Sequence, residues 1–177
     1  MGIDVKNSHT QYGLIARLLH WTSVVMLLTI IVVASQFADQ APGPEKLELI
    51  SLHSSIGIML LMLMITRLTW RNLNPNPIHS YSIKSWQKLL AISLHRSIYL
   101  IIIAQCVLGV LMLLSGGETF RFFDLFELPP LLEKASPIHE KILGFHYLIS
   151  VMIYPLFAIH ITAAIYHQIF GLVEDHE

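Results

Sequence analysis

Four stretches of the chain are dominated by apolar positions and contain no Asp, Glu, Lys or Arg: Leu18 to Ala38 (21 residues), Leu49 to Thr66 (18), Ser97 to Gly117 (21) and Ile142 to Val173 (32). A helix needs about 20 apolar residues to cross a hydrocarbon core. Helices of a soluble bundle would carry polar outer faces, and these stretches have none. The pattern predicts an all-α, four-helix transmembrane bundle with helices over about 14–38, 48–70, 92–115 and 139–170. Residues 1–177 read as a single membrane-embedded domain.

Turn-forming residues sit between the stretches. Pro42-Gly43-Pro44 breaks the chain after the first helix, and Asn72 to Pro77 after the second. Ser115-Gly116-Gly117 ends the third, and Pro129-Pro130 interrupts the last connection. The Leu- and Phe-rich piece from Phe120 to Leu132 there reads as a short interfacial helix. Composition agrees with a membrane protein: 54% of residues are hydrophobic and 13% charged, where soluble domains carry about 25% charged residues. The first apolar stretch exceeds a signal-peptide core and holds His20 near its start, so it is read as retained. Net charge −1 and the lack of a basic run give no indication of nucleic acid. The single cysteine, Cys106, allows neither an internal disulfide nor a Cys-x-x-Cys-His attachment motif, so any haem would lack thioether bonds.

Basic residues alternate between connections. The second holds Arg67, Arg71, Lys84, Lys88 and Arg96 with no acid, and the N-terminal segment adds Lys6 and Arg17. The first and third together carry Lys46, Arg121, Lys134 and Lys141 against eight acids. The positive-inside rule then places both the N-terminus and the C-terminus in the cytoplasm.

Ionisable groups inside a bilayer are costly and usually functional, and this chain has 10 histidines. With alternating helix directions, His20 lies at the same depth as His160, near the cytoplasmic face, and His53 matches His146 near the outer face. Two histidines facing each other from different helices form the axial set of a six-coordinate b haem. His146 and His160 are 14 residues apart, so they share one helix face, separated by roughly 21 Å. One helix thus donates a ligand to each of two haem b groups, one iron held by His20 and His160 and the other by His53 and His146, which makes an electron path across the bilayer. Lone membrane histidines often serve only as interhelical hydrogen-bonding groups, but two depth-matched pairs are hard to explain that way. A zinc site is disfavoured because histidines split between two leaflets cannot converge on one tetrahedral ion. Arg17, Arg67, Arg71, Arg96 and His95 are candidate contacts for the inner haem's propionates, and Lys134 and Lys141 for the outer one's. His139 and His167 extend the fourth helix's stripe, and His167, with Tyr166 and Gln168, is placed to line a quinone head-group site or a haem edge. Gly57 and Gly109 read as close-approach points, Pro155 as a kink, and the run Met59 to Met64 as lipid-facing or core packing.

The segments Arg17-Leu-Leu-His20-Trp21, His53-Ser-Ser-Ile-Gly57 followed by Arg67 and Arg71, His95-Arg-Ser-Ile-Tyr99 with Gly109, and Ala158-Ile-His160 through His167 resemble the four helix signatures of the bacterial cytochrome b561 family. The resemblance covers nearly the whole chain. It implies the same four haem-ligand histidines, a multi-pass protein of the bacterial inner membrane, electron transport and a link to ubiquinone. It also implies, for some members, an oxidoreductase that oxidises superoxide at the outer surface. Cys106 stands where the family often has a proline, which suggests a straighter third helix, and eight outer acids make a poor field for steering an anion, although Lys134, His139 and Lys141 form a local basic spot that can still do so. The expectation is a dihaem cytochrome b exchanging electrons between the quinone pool and a small-molecule or protein partner outside. One alternative is a haem-bearing anchor subunit of a larger dehydrogenase or hydrogenase. The other is a haem-free histidine-rich carrier of metal or protons.

Overall fold

The computed structural model describes residues 4–75, 77, 85–117, 119–123, 125–131 and 137–170, apart from the side chains of 167, 168 and 170. Four helices dominate: α1 (Leu14–Ala38), α2 (Pro44–Leu73), α3 (Ser85–Ser115) and α4 (Pro137–Phe170). Each contains a span long and apolar enough to cross a membrane. The helices pack in chain order, α1 on α2, α2 on α3 and α3 on α4, while the backbones of α1 and α4 stay largely apart.

Local sequence explains the ends. Pro44 opens α2 with Glu45 in its first turn, where a missing N–H and a negative charge both suit a helix N-terminus. The helix therefore starts four residues before the expected 48, and Arg71 sits in its last turn. α3 starts at Ser85 rather than 92, because Lys88 and Arg96 are tolerated where the helix leaves the hydrocarbon. Pro155 lies inside an α4 that runs unbroken to Phe170.

One expectation is corrected. Phe120 to Leu132 does not form an interfacial helix: Phe120–Phe122 (β1) and Phe126–Leu128 (β2) pair as an antiparallel hairpin. The sequence Phe-Arg-Phe…Phe-Glu-Leu alternates apolar and charged positions, the period of a strand and not of a helix.

The core joins α1, α2 and α3 through Leu27, Leu60, Met64, Ile98, Tyr99, Ile102 and Cys106. Met64 is fully buried while Met59 and Met62 are exposed, so the methionine run serves both core and lipid. Leu156 and Phe157 of α4 only pack on its edge.

Candidate functional site

Two histidine clusters lie at opposite ends of the bundle interior. In the first, His53 of α2 faces His146 of α4, with ring centroids 6.4 Å apart and planes crossing at 75°. Two metal–nitrogen bonds of about 2 Å each, plus half a ring on either side, put the centroids of an axial pair roughly 6 Å apart. The spacing therefore leaves room for one metal ion between the rings. His53 Nδ1 lies 3.2 Å from the Ile30 carbonyl oxygen of α1. A carbonyl only accepts, so this bond puts the ring proton on Nδ1 and leaves the Nε2 lone pair free, the second-shell arrangement of a ligating histidine. His146 Nδ1 is buried with no hydrogen-bond partner among the described residues. Phe37 meets the His53 ring edge-on at 5.5 Å. The ring of His146 lies against Gly109 of α3, where an added Cβ would sit 3.4 Å from Cε1. Gly57 approaches Ile30 in the same way.

The second cluster surrounds a cavity of about 310 Å³ near the N-terminal end of α1, lined by His20, His160 and His95 together with Arg17, Arg67 and Arg71. Arg67 and Arg71 both stack on the Tyr99 ring, at 5.2 and 5.8 Å from its centre, which holds two like charges side by side. The four-residue spacing expected to align these arginines does so. Trp70 also lines the cavity, and its buried indole N–H has no acceptor among the described residues. Three guanidiniums and an unmatched N–H give the cavity the donors that an anionic group would pair with. The N-terminal segment closes the cavity from below, where Asn7 donates to the Pro75 carbonyl and accepts from Gly13 N–H, both at 3.0 Å.

His20 is engaged differently from His53. The Arg67 guanidinium donates to His20 Nδ1 at 2.7 Å, and since arginine only donates, the ring proton then sits on Nε2. His95 Nδ1 lies 2.7 Å from the Ala91 carbonyl, and its ring meets that of His160 edge-on at 5.2 Å. That is shorter than the roughly 6 Å a shared metal would need, so His95 and His160 are neighbours, not an axial pair.

Of the remaining expected residues, Arg96 and Lys141 are exposed, and His139 bonds Ser115 Oγ at 3.0 Å at the end of α3. The side chain of His167, and Lys134, lie outside the described residues. Tyr99, Trp70, Asn7 and Phe37 were not singled out from the sequence as site residues. Tyr99 stood four residues after His95, on the same helix face, which was the available signal. Among the described residues no three His, Cys, Asp or Glu side chains converge as metal ligands.

A four-helix membrane protein with half-buried histidines at two levels fits the class of membrane cytochromes b. Comparison with known proteins agrees: residues 11–174 match the family model of prokaryotic cytochrome b561, and the chain belongs to that family. It is 28% identical over 171 residues to cytochrome b561 homolog 2 of Escherichia coli (strain K12), covering 92% of this chain and 87% of that protein. It is 29% identical over 162 residues to a probable superoxide oxidase CybB of Yersinia pestis, covering 90% of each. Cytochrome b561 homolog 1 of Escherichia coli (strain K12) is 25% identical over 152 residues, covering 85% of each. The chain is thus a multi-pass inner-membrane cytochrome of a family that binds b-type haem.

Proposed function

We propose that the chain is a dihaem electron carrier in which His53 and His146 hold one haem b and His20 and His160 the other, passing electrons between an outer-face partner and the quinone pool. The observation that carries this reading is the 6.4 Å separation of the His53 and His146 rings, with His53 held from behind by the Ile30 carbonyl. Bound haem would supply a one-electron couple at each level. The protein supplies orientation, a low-dielectric surround and cations for the propionates.

At the inner level, ligation through His20 Nε2 asks the ring proton to move to Nδ1 and Arg67 to turn away. The same cavity offers Arg67 an anionic alternative, since Arg17, Arg71 and the Trp70 N–H already point to a carboxylate-bearing ligand. In this reading Arg67 is a positioning residue that exchanges a histidine for a propionate.

The orientation in this reading rests on the basic residues. The excess of Lys and Arg in the N-terminal segment and the second connection supports a cytoplasmic side for both termini and the inner cavity, where His167 is a candidate contact for ubiquinone. The outer partner is superoxide or another small or protein redox species; the likeness to a probable superoxide oxidase supports the first. The test is a reduced-minus-oxidised visible spectrum of the purified protein with haem quantified per chain, followed by stopped-flow mixing with superoxide and with quinones. Two low-spin b haems and quinone-dependent oxidation are expected. A colourless protein would overturn the assignment, and haem without quinone reactivity would overturn the quinone link.

A further inference from the structure

The hairpin β1–β2 does not sit above the helix ends. Its Arg121 carbonyl accepts a hydrogen bond from Ser51 Oγ at 2.6 Å, and Ser55 Oγ, which donates to the Ser51 carbonyl at 2.8 Å and lies 3.4 Å from the Arg121 carbonyl, accepts from Phe123 N–H at 3.1 Å. Ser51 and Ser55 are the third and seventh residues of the uncharged stretch that starts at Leu49. At 1.5 Å per residue the hairpin backbone therefore lies roughly 3–9 Å inside that stretch. His53 stands between the two serines, about 180° around the helix from their mean direction. Because His53 points across the bundle to His146, the serines and the hairpin occupy the face of α2 turned away from the bundle axis.

A backbone placed at that depth on the outside of a bundle must have its polar groups satisfied by protein. The pairing of the two strands does part of this, and Ser51 and Ser55 add partners for the Arg121 carbonyl and the Phe123 N–H. Ser55 is fully buried although it lies on an outward face, so the hairpin itself covers it. The hairpin is also two-sided. In register, Phe120 pairs with Leu128 and Phe122 with Phe126 on one face, while Arg121 and Glu127 pair on the other and form a 3.3 Å ion pair. Phe122 and Phe126 stack at 5.0 Å, and Leu125 at the tip is 76% exposed.

We propose that β1 and β2 form a membrane-inserted hairpin: Phe120 is buried against the protein, Phe126, Leu128 and Leu125 lie among lipid chains at the headgroup boundary, the Arg121–Glu127 pair faces the headgroups, and two serines of α2 hold the backbone at that depth. The occupant of this surface is lipid, because the surface is continuous with the apolar flank of α2 and carries the aromatic residues that favour a membrane interface. The inference is independent of the haem assignment.

The test uses the full chain in phosphatidylethanolamine–phosphatidylglycerol vesicles, with Cys106→Ala as background and single nitroxide labels at Leu125→Cys, Glu127→Cys and Glu45→Cys. Power-saturation electron paramagnetic resonance then compares access to oxygen and to a water-soluble nickel chelate. Leu125 is expected to favour oxygen by severalfold relative to Glu127 and Glu45. Nickel access at Leu125 equal to that at Glu45 would overturn membrane insertion. Adding Ser55→Ala is expected to raise nickel access at Leu125 without changing it at Glu45, and Ser51→Ala serves if that variant does not fold. No change at Leu125 in a folded serine variant would overturn the role of the serines.

Discussion

His53 and His20 are the same residue type on neighbouring helices, at opposite ends of the bundle, and their hydrogen bonds differ in a way that bears on ligation. His53 is held by a carbonyl and needs no rearrangement to offer Nε2, whereas His20 accepts a proton from Arg67. His53→Ala and His146→Ala should each lower haem from about two to about one per chain and leave the other haem's spectrum in place, as expected for independent axial pairs. Loss of both haems from a folded variant would show that the pairs are not independent. Arg67→Gln removes a cation beside the inner site and should lower the more cytoplasmic haem's midpoint potential by roughly 40 mV, about 1 kcal/mol for one electron. An unchanged potential in a potentiometric titration would mean that Arg67 stays on His20. The facing of His53 and His146 was legible from depth, because helix direction and residue count fix how far along the bilayer normal a side chain lies; the ring contact of His160 with His95 was not. The Arg67–His20 bond and the double stacking on Tyr99 were not, since they depend on how α1, α2 and α3 are rotated against one another, which no single helix's pattern encodes.

The same limit shows in the helices and the hairpin. Spans α1 and α4 began and ended within about two residues of where the uncharged stretches and flanking turns put them. α2 and α3 were longer than expected because charges near a bilayer boundary do not end a helix. The hairpin was misread through its apolar content, although its alternation was visible; the turn at Phe123, with φ 45, is a conformation that sequence composition does not announce in a phenylalanine. Close approach of α3 to α4 depends on Gly109 beside His146. A Cβ there makes an ordinary 3.4 Å contact, so Gly109→Ala should keep haem content near that of the parent protein. Gly109→Leu has no such room and should displace the His146 ring, costing about 1–3 kcal/mol through overpacking. Its expected signature is selective loss of the outer haem; retention of both haems would show that α3 yields.

At the scale of the molecule, the packing is lopsided. Of the apolar span of α4 only 6% is buried, against 22% for α3, and α1 hardly meets α4 at all. Yet in the proposed assignment α4 carries one member of each histidine pair, with the partners on α1 and α2. Under the proposed assignment the ligands, not side-chain packing, tie the fourth helix to the first two. A ligand that binds only the folded bundle stabilises it by about 4 kcal/mol at a thousandfold excess over its dissociation constant. Haem should therefore contribute most to the docking of α4 and least to the core of α1–α3, which closes around Leu60 and Met64 without it. The protein made under haem depletion should keep its helical content in detergent but show faster hydrogen exchange along α4 than along α2, a difference that reconstitution with haem removes. Equal protection of α4 with and without haem would mean that its contact with α3 suffices, and that the bundle is assembled before the cofactor arrives.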